Sequence, residues 1–508
     1  MEGTLNETGR RAPIEMAPDE FRALGHRLVD TIADFMGTMP SGKVATGESP
    51  AQVRAALDSS KGLPQQGSEP GGLLDEASRF LFDHSLFIGH PRFMGFITSS
   101  PAPIGALADL LASSVNPNLG GWPLSPAATE IEAQTVRWIA ELLGYPTDCG
   151  GLLVSGGNMA NFVGFLAARR AKAPWDVRSA GAISPEGKRL CVYTSAETHT
   201  WVQKAADLFG LGTDAIRWIA TDSRQRMEVG ALRKAIETDR AKGEVPFLVV
   251  GTAGSVSTGA VDPLPALSAV CKEYGLWFHV DGAYGGFAAA LPEELGCPPD
   301  LKGLSLADSV AIDPHKWLYA PLEAGCALVR DREVLRDTFS FHPPYYYMQE
   351  HAEEPEINYH EYGPQNSRGF RALKVWLALQ QVGREGYVRM MADDIALAQR
   401  MSEFVREEAD LEAFTSDLSI ATFRYVPPDL DHGTDETEAY LNKLNAALVE
   451  RIGTSGELFI SNAVIDGKFL LRACIVNFRT SLADVRALPE IVLRLGRETD
   501  RDLRGAGL

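Results

Sequence analysis

The sequence predicts an α/β protein: a large domain built on a mostly parallel sheet, a smaller C-terminal α+β domain, and an N-terminal helical arm. Between Gly151 and Val329, short, continuously apolar runs of strand length alternate with helical segments, as strands buried on both faces do. Several of these runs end in a polar or charged residue, where open α/β sheets bind ligands. Beyond Gly383, strands and helices continue without that punctuation. A chain of 508 residues exceeds one ordinary core. The expected division is 1–90 for the arm and dimerisation segment, 91–383 for the large domain and 384–508 for the small one.

Taken in order, Phe21, Leu24, Leu28, Ile32 and Phe35 recur at spacings of three and four, which predicts a helix over 18–36 with one apolar face. That face needs a partner, and a second subunit or the rest of the chain would serve. The stretch up to Gly72, rich in Gly, Pro, Ser and Gln, reads as an exposed connection. His90 to Ser99 is dense in aromatic and apolar groups beside hydroxyls, the composition of a buried loop or a pocket wall. Ser125-Pro126 opens a helix through Ile131, Trp138 and Leu142, with Ser125 as its cap.

Strands are expected at 152–154, 190–193, 215–219, 246–250, 277–280, 310–312 and 326–329, with helices at 160–171, 229–241 and 263–274. A helix over 390–408, a strand at 420–425, an acidic loop around 429–438, a helix over 439–452 and strands at 458–464 and 469–476 complete the chain.

Hydrophobic residues at 45% and charged residues at 23% are ordinary for a globular protein and favour neither a disordered nor a fibrous class. The formal net charge of −19 argues against nucleic acid or an anionic membrane as partner. Six scattered cysteines, without a Cys-x-x-Cys or a compact Cys/His cluster, predict neither a disulfide framework nor a metal site. Residues 1–16 lack the apolar core of a secretory signal and no later run reaches membrane-spanning length, so a cytoplasmic protein is expected.

The chemistry lies at the strand ends. Ser155-Gly156-Gly157-Asn158 sits between a strand and a helix, where glycines admit close backbone approach and free amides face an anion. A conformational turn would look the same in isolation. Asp281 ends an apolar strand, where a carboxylate needs a cation or a strong donor. Lys316 follows His315 in an equally apolar setting, and a partly desolvated amine is a usable nucleophile for an aldehyde. His199 lies just past another strand end, where its ring would stack on a heteroaromatic or pack as a core histidine. A lysine and a carboxylate on neighbouring strand ends suit pyridoxal phosphate, whose aldehyde takes the amine and whose ring nitrogen takes the acid.

These residues, with His279-Val280-Asp281-Gly282-Ala283-Tyr284, Asp313-Pro314-His315-Lys316-Trp317, His90-Pro91-Arg92-Phe93 and Arg368-Gly369-Phe370-Arg371, give a sequence that resembles the pyridoxal-phosphate-dependent group II amino acid decarboxylases. The resemblance spans nearly the whole chain. It implies a fold type I, aspartate-aminotransferase-like homodimer with interlocked N-terminal helices and active sites at the dimer interface. Lys316 would then hold the cofactor covalently, Asp281 would pair with its ring nitrogen and His199 would stack on its ring. Gly156, Gly157 and Asn158 would hold the phosphate, with Ala283, Asp313 and His315 nearby. The family's mobile-loop tyrosine, which protonates the substrate carbon, would be Tyr345 in His342-Pro343-Pro344-Tyr345.

Four positions depart from the family pattern. Asn158 and Met159 replace the usual hydroxyl and glutamate, Asp313 stands where many relatives have Asn, and Trp201 where serine is frequent. Phe96, Ile97, Thr98, Ser99 and Trp122 fall where relatives build the side-chain pocket, partly across the interface, and their character implies an aromatic L-amino acid as substrate. An acidic substrate would need a cation there, for which Arg92 is the candidate. Relatives that make aldehydes often carry Phe at the loop tyrosine, so Tyr345 favours simple decarboxylation to an amine. Intact Lys316, Asp281 and His199 speak against a silent homologue that only binds a partner.

Overall fold

The computed structural model describes residues 12–341, 356–430 and 433–505. Its first part is helical: α1 (Pro18–Thr38), α2 (Pro50–Leu57), α3 (Pro70–His84), α4 (Pro103–Val115) and α5 (Pro126–Leu142). Proline opens each of them, its fixed φ suiting the first turn and its missing N–H costing nothing there. α1 buries none of its own residues, although Phe35 stacks on Phe82 of α3 at 4.1 Å between ring centroids. The stretch expected to be an open connection contains α2, started by a reciprocal cap between Ser49 and Gln52, and the beginning of α3. Ser125 does not cap α5; its hydroxyl donates to the Asn118 carbonyl at 2.8 Å instead.

The large sheet contains β1 (Gly150–Val154), β2 (Leu190–Ser195), β3 (Ile216–Ile219), β4 (Val245–Thr252), β5 (Trp277–Asp281), β6 (Ser309–Ile312) and β7 (Gly325–Val329), in the order β1-β7-β6-β5-β4-β2-β3. Neighbours from β6 through β5, β4 and β2 to β3 are parallel, whereas β7 runs antiparallel to both β1 and β6. The connecting helices are α6 (Gly157–Lys172), α7 (Val177–Ala180), α8 (Trp201–Leu208), α9 (Val229–Ala241), α10 (Leu264–Tyr274), α11 (Pro314–Trp317) and α12 (Arg332–Phe339). Along β4, Leu248 and Val250 join the core that holds Phe165 and Trp201, while Val249 joins the opposite one with Phe278 and Leu267. That alternation is the pleat of a strand covered on both faces.

Beyond it run α13 (Ala372–Glu407), β8 (Leu411–Asp417), β9 (Ile420–Tyr425), α14 (Asp435–Ser455), β10 (Ser461–Ile465), β11 (Lys468–Cys474) and α15 (Leu482–Gly505). The four strands form an antiparallel sheet ordered β10-β11-β9-β8, and Phe423, Leu444, Leu471 and Val492 fill its core. Among the described residues, no helix is long and apolar enough to cross a membrane.

Candidate active site

Parallel pairing sets His279 of β5 opposite Ser309 of β6, so the two strands end side by side. Asp281 closes β5, and Asp313 and Lys316 follow β6. With Thr252 at the end of β4, Ser155 after β1 and His199 after β2, they line one cavity of about 350 Å³.

Gly156 sits at φ +148, a backbone state that side chains rarely adopt. On Gly157 a Cβ would lie 2.7 Å from Asp313 Oδ2 and 3.0 Å from the Ala283 methyl. No side chain caps α6, which starts here, so its first amides remain available to an anion in the cavity. Behind the turn, buried Arg368 pairs with buried Glu132, donates to the Leu153 carbonyl at 2.7 Å, and Glu132 accepts the Leu153 N–H at 2.9 Å. Together they clamp the strand that delivers the turn.

Asp281 is buried, with Oδ2 accepting the indole N–H of Trp201 at 2.7 Å and Oδ1 accepting the Ala283 N–H at 3.2 Å. Lys316 Nζ lies 3.1 Å from Asp313 Oδ2, and His315 Nε2 lies 3.5 Å from the same oxygen. The other oxygen, Asp313 Oδ1, is buried without a hydrogen-bond partner. His315 is fixed by the Ala324 N–H on its Nδ1 at 3.2 Å, and its carbonyl accepts the Ser99 hydroxyl at 2.8 Å. Burial holds both His199 and His315 below the usual imidazole range, which favours neutral rings.

Gly156, Gly157, Asn158, His199, Asp281, Ala283, Asp313, His315 and Lys316 thus surround one space. The expected substrate residues divide. Ile97 lines the cavity, but Phe96 is 52% exposed and packs on Phe459, while the Ser99 hydroxyl is used on the His315 carbonyl. Thr98 is half-buried outside the lining. The Trp122 indole donates to Glu130 at 2.9 Å and its backbone N–H to Asn358 Oδ1 at 2.9 Å, which holds it away from the cavity. Arg92 is committed to Asp484 at 3.2 Å. Tyr345 lies outside the described residues. Met159, Asn161, Thr252, Val256, Tyr284 and Leu322 also line the cavity. Thr252 obeys the same strand-end rule as Asp281, so that signal was present in the sequence; Leu322 and Val256 reach the cavity from loops that carry none.

An amine, a carboxylate held by fixed donors, a flat neutral imidazole and an uncapped helix start in one cavity fit pyridoxal phosphate, group by group. The site therefore defines a pyridoxal-phosphate-dependent enzyme of the α/β class. The family described as Pyridoxal-dependent decarboxylase conserved domain matches residues 50–426. The aromatic-L-amino-acid decarboxylase of Bacillus atrophaeus is 35% identical over 486 residues, covering 96% of this chain and 97% of that protein. A phenylacetaldehyde synthase of Arabidopsis thaliana is 29% identical, covering 91% and 92%. The crystal structure of Oryza sativa TDC with PLP and tryptamine superposes with a TM-score of 0.87 at 27% identity, covering 96% of this chain and 99% of that one. The chain belongs to the pyridoxal-dependent decarboxylase family, with the fold type I architecture of those enzymes. It is a carboxy-lyase whose cofactor is pyridoxal phosphate.

Proposed function

We propose that this enzyme decarboxylates an aromatic L-amino acid to the corresponding amine and carbon dioxide. One observation favours an aromatic over an acidic side chain: among the described residues lining the cavity, Lys316 is the only lysine or arginine. A side-chain carboxylate would find no second cation, whereas Ile97, Val256, Tyr284, Met159 and Leu322 offer an apolar wall.

When bound, pyridoxal phosphate supplies an electron sink for the pair released as the carboxylate leaves. In this assignment the Lys316 amine would hold the cofactor at its aldehyde carbon. Asp281 would keep a proton on the ring nitrogen, His199 would lie against the ring, and Gly156, Gly157 and Asn158 would receive the phosphate. Asp313 and His315 border the lysine, and Tyr345 returns a proton to the α-carbon, a general-acid step worth roughly 10² to 10⁴ in rate. The aldehyde synthases among the relatives make oxidation the competing reading. Tyr345→Phe is then expected to raise aldehyde and ammonia at the expense of amine, with dioxygen consumed as the oxidant and released as hydrogen peroxide.

We further propose a cytoplasmic homodimer, with the chain divided at 1–90, 91–383 and 384–508. In it Phe96, Thr98, Ser99 and Trp122 serve the side-chain pocket, in part from across the interface. Amine release measured over the common L-amino acids should be greatest with tryptophan, tyrosine or phenylalanine. Preference for glutamate or another acidic substrate would overturn the assignment. Lys316→Ala should lose the covalent cofactor absorbance and turnover together.

A further inference from the structure

Trp201 is the first residue of α8 and is fully buried, yet it stands two residues after His199 and beside the cofactor cavity. An indole N–H is a donor only, and here its acceptor is Asp281 Oδ2, at 2.7 Å. The backbone N–H of the same residue is aimed at His199 Nδ1, at 3.3 Å. One residue thus touches both groups assigned to the cofactor ring, the carboxylate with its side chain and the imidazole with its main chain.

Trp201 cannot readily swing away. Its ring meets His279 edge-on, with centroids 5.7 Å apart and planes at 77°. His279 is itself held at both nitrogens: Nδ1 pairs with Ser309 Oγ at 2.7 Å, and Nε2 with Asn161 Oδ1 at 2.7 Å. Ser309 in turn accepts the Trp277 indole N–H at 2.8 Å. Both His279 nitrogens and the Ser309 hydroxyl are paired in this buried chain, so the wall behind Asp281 is rigid.

We infer that Trp201 is a positioning residue for the cofactor ring, its indole N–H keeping the Asp281 carboxylate aimed at the ring nitrogen while its backbone N–H fixes the face of His199. The inference rests on Asp281 being the ring-nitrogen partner, as proposed above. A donor on one oxygen fixes the rotation of the carboxylate, and with it the direction in which its remaining lone pairs face the ring nitrogen. Without that donor the carboxylate is free to turn, its pairing with the ring N–H loosens and the electron sink weakens. His199 keeps its backbone contact in either case.

The test uses the full-length enzyme loaded with ¹⁵N-labelled pyridoxal phosphate, in Trp201→Phe and in a second variant carrying benzothienylalanine at 201. The latter preserves the shape of the indole and removes only the N–H, which covers the case in which Trp201→Phe fails to fold. In both, the ring-nitrogen ¹⁵N resonance should move towards that of unprotonated pyridine. The kcat should fall tenfold or more with KM changed less than threefold, the scale of one hydrogen bond to a charged group. An unchanged resonance in the benzothienylalanine enzyme overturns the inference. Asp281→Asn is the reference: if it leaves the resonance in place, the reading of Asp281 fails and this inference with it. If it shifts the resonance while the position-201 variants do not, only the role of Trp201 falls.

Discussion

His279 shows how a single side chain can be structural while sitting two residues from the carboxylate that lines the cavity. It occupies the middle of β5 with no exposure, and its neighbours satisfy it as a neutral ring. Burial pulls its pKa from 6.5 down to about 4, with the Asp281 charge acting in the opposite direction. The unfolded chain binds that proton near pH 6.5, but the folded chain resists it until about pH 4, so protons accumulate on the unfolded state as the pH falls through that window. The stability His279 supplies is full above pH 6.5 and lost as the pH drops towards 4, by about 3 kcal/mol in total. His279→Gln, which cannot titrate there, should show a correspondingly shallower acid-side fall when unfolding is followed in denaturant at pH 7, 5.5 and 4. A slope equal to that of the wild type would mean that other groups govern the acid limb. Local sequence made Asp281 and Lys316 legible, because a charge ending an apolar run is conspicuous. The pairing of Trp201 with Asp281, 80 residues apart, was not legible, since only the parallel order of β2, β4 and β5 brings them together.

At the scale of elements, buried strands were the easiest to read, because runs such as Phe247 to Val250 have no polar interruption. The same feature hid α4. Its exposed Leu107, Leu110, Leu111 and Val115 and its buried Gly105 and Ala108 leave no polar face, so no helical stripe stands out. α13 departs from expectation in another way, beginning at Ala372 and running on through Gly383, where the backbone is not helical (φ 66, ψ 170). That conformation is nearly exclusive to glycine, and it lets two helical stretches meet at an angle instead of continuing as one rod. A Cβ on Gly383 would meet nothing within 4 Å, so the cost of Gly383→Ala is backbone strain without a clash. Equilibrium unfolding should register a loss of about 1 to 3 kcal/mol, with KM for the amino acid unaltered. A loss below a few tenths of a kcal/mol would show that the bend relaxes when the side chain is added.

For the whole molecule, the decisive feature is the apolar surface this chain leaves uncovered. α1 exposes Phe21, Val29 and Ile32, α3 exposes Leu73 and Leu81, and α4 exposes Leu107, Leu110, Leu111 and Val115, each of these four at least 52% accessible. Single exposed leucines are ordinary, but three helices carrying them in the same part of the chain call for a covering surface. A second copy would supply it, and a two-fold interface presents the same patch from each subunit, so every substitution counts twice. Half-exposed leucines gain about 1 kcal/mol each when covered, whereas a glutamate buried in that patch costs several kcal/mol without a partner. In the homodimer proposed above, Leu111→Glu should therefore raise the dissociation constant at least a hundredfold, about 3 kcal/mol, as read by sedimentation velocity across a dilution series. If pocket residues come partly from the neighbouring subunit, specific activity should fall in step with the dimer fraction, and raising the protein concentration should restore it. A Leu111→Glu enzyme that sediments as the wild type at every dilution would place the interface elsewhere. One that dissociates but keeps full activity would show that each chain completes its own site.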